Sequence, residues 1–204
     1  MSLIGRLHNV AFSRRVRILA SRISSLLPQG AKVLDVGCGD GTIDSLIMKN
    51  RPDVSISGID VFLRGSTQIP VTSFDGFTIP YAPETFDAVL LVDVIHHAEA
   101  PEMLLQEAMR VSIDTVIIKD HTKNGLLAGS TLKLMDWVGN ARHGVNLPYN
   151  YWTKRQWEKT LKKLGLSAQY WDDRINLYAW PATLIFDRSL HFIASLKKIS
   201  GSKN

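Results

Sequence analysis

Cysteine is almost absent from this chain of 204 residues, which contains one, Cys38. A single cysteine excludes a disulfide framework, and no set of cysteines and histidines has the spacing of a zinc site, so we predict no bound metal. Long hydrophobic runs are missing too, and the apolar runs present are too short to span a bilayer. Arginines interrupt the first apolar stretch, which argues against a signal peptide. We therefore expect a cytoplasmic protein.

Acidic residues are missing from the first 30 positions, which carry five arginines and with them the whole formal net charge of +5. The pattern favours an amphipathic helix over about residues 10–27, with an apolar side on the domain and the arginines in solvent. Contact with a membrane surface or an acidic substrate is a second interpretation, and an organelle transit peptide is a third. The predicted apolar side is Val16, Leu19, Ile23 and Leu26, and the arginines are Arg6, Arg14, Arg15, Arg17 and Arg22.

The length and the 45% share of hydrophobic residues suit one folded domain, so we treat residues 1–204 as a single domain with a basic helical region at 1–30. Short apolar segments alternate with segments of helical periodicity. This rhythm predicts an α/β protein with a doubly wound parallel sheet and helices on both faces. The predicted strands are 32–36, 54–59, 71–74, 86–92, 115–118, 168–171 and 190–196, and the further predicted helices are 42–49, 101–111, 130–138 and 153–164.

A glycine-rich turn follows the first predicted strand, in the segment Val33-Leu-Asp-Val-Gly-Cys-Gly-Asp-Gly41. A strand, a tight glycine turn and a helix in this order let the backbone approach a nucleotide closely, because glycine adopts positive φ and has no Cβ. Here the glycines fall at every second position, whereas NAD-linked dehydrogenases usually have Gly-x-Gly-x-x-Gly. The turn therefore predicts a ligand that contains adenosine and argues against a dehydrogenase.

Two aspartates follow at the ends of the next two predicted strands. Asp60 lies about 20 residues after the glycine turn, where a carboxylate can accept hydrogen bonds from both hydroxyls of a ribose. Asp75, followed by Gly76, can accept a hydrogen bond from an adenine amino group. Aspartate is also common in turns, so a structural role for Asp75 stays open.

A long apolar strand then runs into two histidines, in the segment Phe86-Asp-Ala-Val-Leu-Leu-Val-Asp-Val-Ile-His-His97. Together with the glycine turn, Asp60 and Asp75, this segment resembles the class I S-adenosylmethionine-dependent methyltransferases of the small-molecule type 11 group. The similarity covers residues 32–111 and, more loosely, 151–166. It implies a three-layer Rossmann-like fold with a mostly parallel seven-stranded sheet whose last strand is antiparallel. It also implies S-adenosylmethionine as the cofactor and S-adenosylhomocysteine as the product.

The resemblance further implies a role in cofactor binding for the residues that match the family's motifs. Most of them lie at the ends of predicted strands. They are Asp35, Gly37, Cys38 and Gly39 beneath the methionine part, Asp60 at the ribose, Val61 beside the adenine, Asp75 and Gly76 at the adenine amino group, and the main chain of Val92 and Asp93 near the methyl group.

Methyl transfer needs an acceptor aligned with the methyl group, and a base where the acceptor is a hydroxyl or a protonated amine. Residues 121–152 follow no assignable pattern and form the predicted acceptor-site insertion. Histidine titrates near neutrality, so His121 and His97 are the predicted catalytic residues. A structural or cofactor-side role stays open for His97 and its neighbour His96. The predicted acceptor-binding residues are His121, His143, Tyr149, Tyr151 and Trp152, of which the three aromatic residues could instead pack the following helix onto the sheet.

The predicted function is transfer of a methyl group from S-adenosylmethionine to a small, apolar or aromatic acceptor by in-line displacement. An RNA or protein methyltransferase is an alternative, motivated by the basic N-terminal region, although no Asn/Asp-Pro-Pro-Tyr motif follows the fourth strand and nucleic acid is not the expected partner. A non-catalytic regulatory protein that binds the cofactor is another alternative. A membrane partner for the basic helix stays open, and the sequence does not indicate the oligomeric state or the atom that is methylated.

Overall fold

One mixed sheet of seven strands organises the residues that the computed structural model describes, which are 3–140 and 149–199. The strands are β1 Lys32–Val36, β2 Ser55–Asp60, β3 Val71–Ser73, β4 Phe86–Val92, β5 Ser112–His121, β6 Leu166–Asp172 and β7 His191–Lys198. Their order across the sheet is β3-β2-β1-β4-β5-β7-β6. The strands β1 to β5 are parallel, and β7 runs antiparallel between β5 and β6. This confirms the predicted α/β, Rossmann-like sheet with an antiparallel last strand.

Helices pack on both faces of the sheet and complete three layers. They are α1 Leu3–Ser24, α2 Thr42–Asn50, α3 Pro101–Val111, α4 Ala128–Asn140, α5 Lys154–Lys163 and the single turn α6 Thr183–Phe186. On one face, Leu104 of α3 and Trp157 of α5 lie in the core, and on the other face Leu19 of α1 and Ile47 of α2 do. The apolar run of β4 supplies alternate side chains to both cores, because successive residues of a strand point to opposite sides.

Local signals in the sequence located most elements well. The bounds of β1, β4 and α3 are those predicted, and α5 begins after a capping box in which Thr153 and Gln156 exchange hydrogen bonds. The strand β5 is longer than the predicted 115–118, because its added residues at the carboxyl end pair with β7, where Asp120 lies opposite Phe192. The 3₁₀ turn Ile95–His97 and the short α6 were not predicted, since neither has a periodic pattern.

The first helix differs from its prediction in extent and in the placement of its arginines. It covers Leu3–Ser24 rather than residues 10–27. Three of the four predicted apolar residues are buried, and Leu26, which lies after the helix, packs against the same core. The arginines were expected in solvent, but Arg15 forms an ion pair with Asp93 and Arg14 donates to the carbonyl of Asn176 at 3.2 Å. The helix therefore packs against polar groups of the domain as well as against its apolar core.

The carboxyl ends of β1, β2, β4 and β5 meet at one edge of the sheet, which we call the upper edge. Because β7 is antiparallel to β5, it begins at this edge, with His191 opposite His121. Loops that follow parallel strands and the segment that precedes β7 are thus brought together. In open α/β sheets this edge is where ligands bind.

None of the helices in the described ranges is both long and apolar enough to cross a membrane.

We expect Phe192→Ala to lower the free energy of unfolding by about 3–5 kcal/mol, the usual cost of removing a buried aromatic ring. Phe192 is fully buried, stacks on Trp171 with ring centroids 4.1 Å apart and meets the edge of Trp157 at 5.0 Å. Urea denaturation measures the change. Tyr170→Ala is the control, because Tyr170 is 36% exposed and should cost less than about 1 kcal/mol. Equal losses in the two variants would contradict the packing described here.

Candidate active site

The glycine turn after β1 has three residues in the left-handed region. Gly37, Gly39 and Gly41 have φ of 75°, 61° and 74°. A Cβ on Gly37 would lie 2.6 Å from Cγ2 of Val94, and one on Gly41 would lie 2.5 Å from Cγ1 of Ile69. A Cβ on Gly39 would have no atom within 4 Å. Two of the glycines therefore allow close packing inside the protein, whereas Gly39 leaves open space at the upper edge.

Asp60 joins the loops that follow β1 and β2. Its Oδ2 accepts a hydrogen bond from the backbone N–H of Gly39, and its Oδ1 accepts one from that of Phe62, both at 2.8 Å. The residue is 8% exposed. A carboxylate oxygen has two lone pairs, so each oxygen can still accept a hydroxyl proton. Asp60 is thus oriented by the backbone and retains the capacity to bind a diol.

Two carboxyl groups are buried beneath the glycine turn. Asp35 of β1 and Asp44 of α2 are 3% and 1% exposed, and their two carboxyl groups are neighbours that interact with each other. Burial raises the pKa of Asp44 to about 6, and burial together with the neighbouring Asp44 raises the pKa of Asp35 well above its usual value. A cationic group such as the ammonium of S-adenosylmethionine would favour the ionised form of these buried carboxyls. Asp44 was not predicted as a site residue.

The loops after β2 and β3 meet at the end of the site where the adenine was expected. A Cβ on Gly76 would lie 3.1 Å from Cγ1 of Val61, a residue that is 61% exposed. Oδ1 of Asp75 accepts hydrogen bonds from the backbone N–H groups of Phe77 and Thr78, both at 2.7 Å, and these bonds lower the pKa of Asp75. Asp75 therefore shapes its own turn with one oxygen, and its Oδ2 can serve a ligand.

Asp93, directly after β4, is the centre of an ionic group that is half-buried at Asp93 and Arg15 and buried at Lys119. Its carboxylate pairs with the ammonium of Lys119 and the guanidinium of Arg15. Burial by itself would raise the pKa of Asp93, but these two cations outweigh it and hold the pKa well below its usual value. The backbone of Asp93 has φ of 58°, and its N–H donates to the carbonyl of Lys119 at 2.7 Å. Helix α1, β4 and β5 are thus tied together behind the expected position of the methyl group.

Next to Asp93 lies a group of histidines and aspartates, which we call the His–Asp cluster. Nδ1 of His96 lies 2.7 Å from Oδ1 of Asp120, and Asp120 also accepts hydrogen bonds from the backbone N–H groups of Ile95 and His121. Nε2 of His121 lies 3.4 Å from Oδ1 of Asp93. The rings of neighbouring histidines are 3.9 to 4.8 Å apart. The members of the cluster are Asp93, His96, His97, Asp120, His121, Asp136 and His191.

The histidines of the cluster differ in charge. Burial by itself would lower the pKa of His96, but the carboxylates of Asp120 and Asp136 raise it. Burial lowers the pKa of His97 to about 4, and burial with the adjacent Lys119 lowers the pKa of His121 and of His191 far below the usual value. At neutral pH, His97 and His121 are therefore neutral imidazoles, which can accept a hydrogen bond but are weaker bases than a free imidazole.

Residues 149–152 and α4 close the cluster from outside. The Tyr151 hydroxyl donates to the carboxylate of Asp136, and its ring stacks on His96 with centroids 5.7 Å apart. The ring centroids of Tyr149 and Tyr151 are 6.1 Å apart. The ring of Trp152 packs edge-on against that of Trp157, with centroids 4.6 Å apart. The predicted acceptor residues thus separate into Tyr149 and Tyr151, which border the cluster, and Trp152, which packs on α5. The remaining one, His143, lies outside the described residues.

Several residues of the candidate site were not predicted from the sequence. Lys119, Asp120 and Asp136 were not singled out, although polar residues at the end of an apolar strand such as β5 are a detectable signal. Arg15 was assigned to solvent. Two trios bring donor atoms within 4.8 Å of one another, namely Asp93, His96 and His121, and His96, His97 and Asp136. Their carboxylates are already paired with Lys119 and Arg15 or hydrogen-bonded to Tyr151.

Comparison with known proteins shows to which family the chain belongs. A family model described as a methyltransferase domain matches residues 8–170. Ajmaline N-methyltransferase of Rauvolfia serpentina is 26% identical over 154 residues, which are 68% of this chain and 46% of that protein. The tRNA (carboxymethyluridine(34)-5-O)-methyltransferase of Schizosaccharomyces pombe is 32% identical over 89 residues, which are 42% of this chain and 37% of that protein. The chain thus spans less than half the length of these two relatives.

Among solved structures, 1,6-didemethyltoxoflavin-N1-methyltransferase of Burkholderia thailandensis, with bound 1,6-didemethyltoxoflavin and S-adenosylhomocysteine, superposes with a TM-score of 0.65. The alignment covers 90% of this chain and 78% of that one at 15% identity, so this likeness supports the fold alone. The family model, in contrast, matches far more than half of the chain, and the predicted family and cofactor are confirmed. The chain belongs to the class I S-adenosylmethionine-dependent methyltransferase family.

Proposed function

We propose that this protein transfers a methyl group from S-adenosylmethionine to a small, apolar or aromatic acceptor that carries an ionisable hydroxyl or amine. One observation carries the proposal. The glycine turn with Asp60 and the His–Asp cluster adjoin at the upper edge, and Asp93 at the end of β4 lies at their junction. A site for an adenosine ligand would therefore continue directly into a group of histidines and aspartates, of which His97 and His121 are neutral at neutral pH.

The cofactor-binding roles follow from the geometry of the first half of the site. Asp60 would accept the ribose hydroxyls, because the backbone fixes its carboxylate and leaves lone pairs free. Asp35 and Asp44 would compensate the ammonium of the methionine part. Val61 and Gly76 would flank the adenine, with Oδ2 of Asp75 available to its amino group. Gly37, Cys38 and Gly39 would line the floor together with the main chain of Val92 and Asp93.

The protein's part in the chemistry would be to orient the acceptor and to accept a hydrogen bond from it. When bound, the cofactor supplies a methyl group on a sulfonium, which is already activated for displacement, so the aligned acceptor is the main requirement. Of the two predicted bases, His97 is the less buried, and its buried Nδ1 has no hydrogen-bond partner among the described residues, so that an acceptor seated against it could donate there. His121, buried between Asp93 and Asp136, would position the acceptor's polar group.

The acceptor's apolar character is proposed from the walls around the cluster. Tyr149 and Tyr151 border it, and no exposed acidic side chain lies on the described part of the segment 121–140. Small acceptors are also named for similar proteins, such as ajmaline N-methyltransferase. The predicted cytoplasmic location stays a prediction.

A nucleic acid acceptor is the second candidate, and two observations favour it. The acid-free N-terminal region is basic, and the relative from Schizosaccharomyces pombe is named as a tRNA methyltransferase. Against it, Arg14 and Arg15 are engaged within the protein rather than offered to phosphates. A non-catalytic role as a cofactor-binding regulator is the third candidate.

The test is transfer of label from methyl-labelled S-adenosylmethionine into an extract of the source organism. We expect label in the organic-soluble or small-molecule fraction, because the site is suited to a small acceptor. Label in RNA or protein would instead support the second candidate. Binding of S-adenosylhomocysteine without transfer into any fraction would support the regulator.

We expect Gly39→Ala to weaken binding of S-adenosylhomocysteine by about tenfold or more, because the added methyl group would enter the space that faces the ligand. Isothermal titration measures the affinity. Gly30→Ala is the matched control, since Gly30 also has positive φ, 66°, and no atom within 4 Å of an added Cβ, but lies before β1 at the opposite edge. The two variants carry similar backbone strain, so equal affinities would contradict the assigned cofactor site.

We expect the imidazole of His97 to lose its proton near pH 4 instead of near 6.5, because burial and then the adjacent His96 disfavour its charged form. A lowered pKa keeps the ring neutral at every pH well above 4, so that it can accept a hydrogen bond from an acceptor's hydroxyl or amine. The measurement is ¹⁵N NMR of labelled histidines across this pH range, with His97→Gln to assign the signal and circular dichroism to follow the fold. A transition between pH 6 and 7 would show that the ring is solvated.

A further inference from the structure

Large apolar side chains are exposed on two segments at the upper edge. Leu126 and Leu127 follow β5 and are 85% and 66% exposed. Trp180, Leu184 and Ile185 precede β7 and are 80%, 65% and 53% exposed. Because β5 ends where β7 begins, both segments lie beside the His–Asp cluster. The exposure is therefore concentrated around the mouth of the candidate active site.

The two segments form one surface. The guanidinium of Arg188 donates to the hydroxyl of Thr131 in α4 at 3.2 Å, and the backbone N–H of Thr122 donates to the carbonyl of Leu190 at 2.9 Å. Leu190 also packs with Leu132 of α4 in a small buried core. Contiguous apolar patches on a protein surface mark interaction sites, whereas scattered apolar residues do not. We call this surface the apolar rim and define it as Leu126, Leu127, Trp137, Trp180, Leu184 and Ile185.

The charges that accompany the apolar rim are of one sign. On the described residues 123–137 and 175–190, the exposed charged side chains are Lys123, Lys133 and Arg188. The two acids on these segments face inward, since Asp136 is buried and Asp187 accepts hydrogen bonds from the backbone N–H groups at 177 and 178. Apolar residues with tryptophan, surrounded by lysine and arginine, are typical of surfaces that lie in a membrane interface.

Helix α1 adds further positive charge next to the rim. The guanidinium of Arg14 holds the carbonyl of Asn176, four residues before Trp180. A groove between α1 and this loop is lined by Arg14, Arg17, Arg22 and Ile175, of which Arg14 is engaged with Asn176 and Arg22 pairs with Asp172 at 3.5 Å. Arg17 is exposed, and the first 30 residues contain no acid. An exposed arginine beside the apolar rim suits a surface that carries phosphates above a hydrocarbon layer.

We propose that the apolar rim docks on an anionic lipid bilayer, with its side chains at the level of the headgroups and the exposed Arg17, Lys123, Lys133 and Arg188 against lipid phosphates. A bilayer fits the single sign of the exposed charges on the two rim segments and the spread of the apolar residues around the mouth of the site better than a folded partner does. The exposed acids Asp40, Asp75 and Glu99 lie on the loops after β1, β3 and β4, outside these two segments. Docking would let an acceptor with an apolar tail enter from the bilayer. That consequence rests on the proposed function, but the docking itself does not.

The test is sedimentation of the full chain with vesicles of phosphatidylglycerol and phosphatidylcholine, and with vesicles of phosphatidylcholine alone. We expect binding to the anionic vesicles that is at least about tenfold stronger and weakens at high salt. The double variant Leu184→Ser and Ile185→Ser should lose about tenfold in binding. Ile113→Ser is the matched control, because Ile113 is 50% exposed at the opposite edge. Arg17→Glu should also weaken binding, whereas Arg155→Glu on α5 should not.

Three results would overturn the proposal. The first is no binding, or equal binding to neutral and anionic vesicles. The second is an equal loss in Ile113→Ser and in the rim variant. The third is a dimer in light scattering that the rim variant converts to a monomer, without any vesicle binding, which would make the rim an interface between two copies. S-adenosylhomocysteine affinity should stay unchanged in the rim variant. If the unmodified protein does not bind S-adenosylhomocysteine, that result counts against the proposed function and not against the docking.

Discussion

The half-buried carboxylate of Asp93, paired with two cations, is the interaction on which the upper edge depends. It neutralises Lys119 from β5 and Arg15 from α1, and its own backbone is held in the left-handed region by the turn that leaves β4. A buried charge is tolerated where a partner compensates it, and removing one partner strands the other in a medium of low dielectric. Three elements that are distant in sequence are therefore fixed relative to one another. The first helix is part of the site because its arginine completes this group.

The other ionisable groups of the candidate site form two sets, one around the glycine turn and one around β5. Around the glycine turn, the neighbouring buried carboxyls of Asp35 and Asp44 would be stabilised by a cation, and Asp60 is oriented by two backbone N–H groups. Around β5, desolvation and Lys119 keep His121 neutral, whereas Asp120 keeps its neighbour His96 close to the charged form. Burial thus gives identical side chains different proton affinities within a few ångströms. A cationic methyl donor and a proton-losing acceptor would each meet groups of the required charge.

The sequence anticipated those elements whose pattern is local. The strand–glycine–helix segment, the acid at Asp60 and the apolar run of β4 appear in the printed sequence as they do in the structure, because period, turn chemistry and spacing are read from neighbours in the chain. The His–Asp cluster could not be assembled in this way. Asp93, His121, Asp136 and His191 are brought together by strand order and by the antiparallel β7, which no local pattern contains. The placement of Arg15 against Asp93 was missed for the same reason.

What the sequence determined by itself is the family, the cofactor and the residues of the glycine turn, because close backbone approach to a nucleotide demands those residue types at those spacings. What the tertiary structure decided is which ionisable groups share one environment and what charge each carries. A carboxylate or imidazole has no fixed character outside its surroundings, since burial and neighbouring charges set its pKa. The packing of α1, β5 and β7 around Asp93 supplies those surroundings, and it arises when the sheet forms.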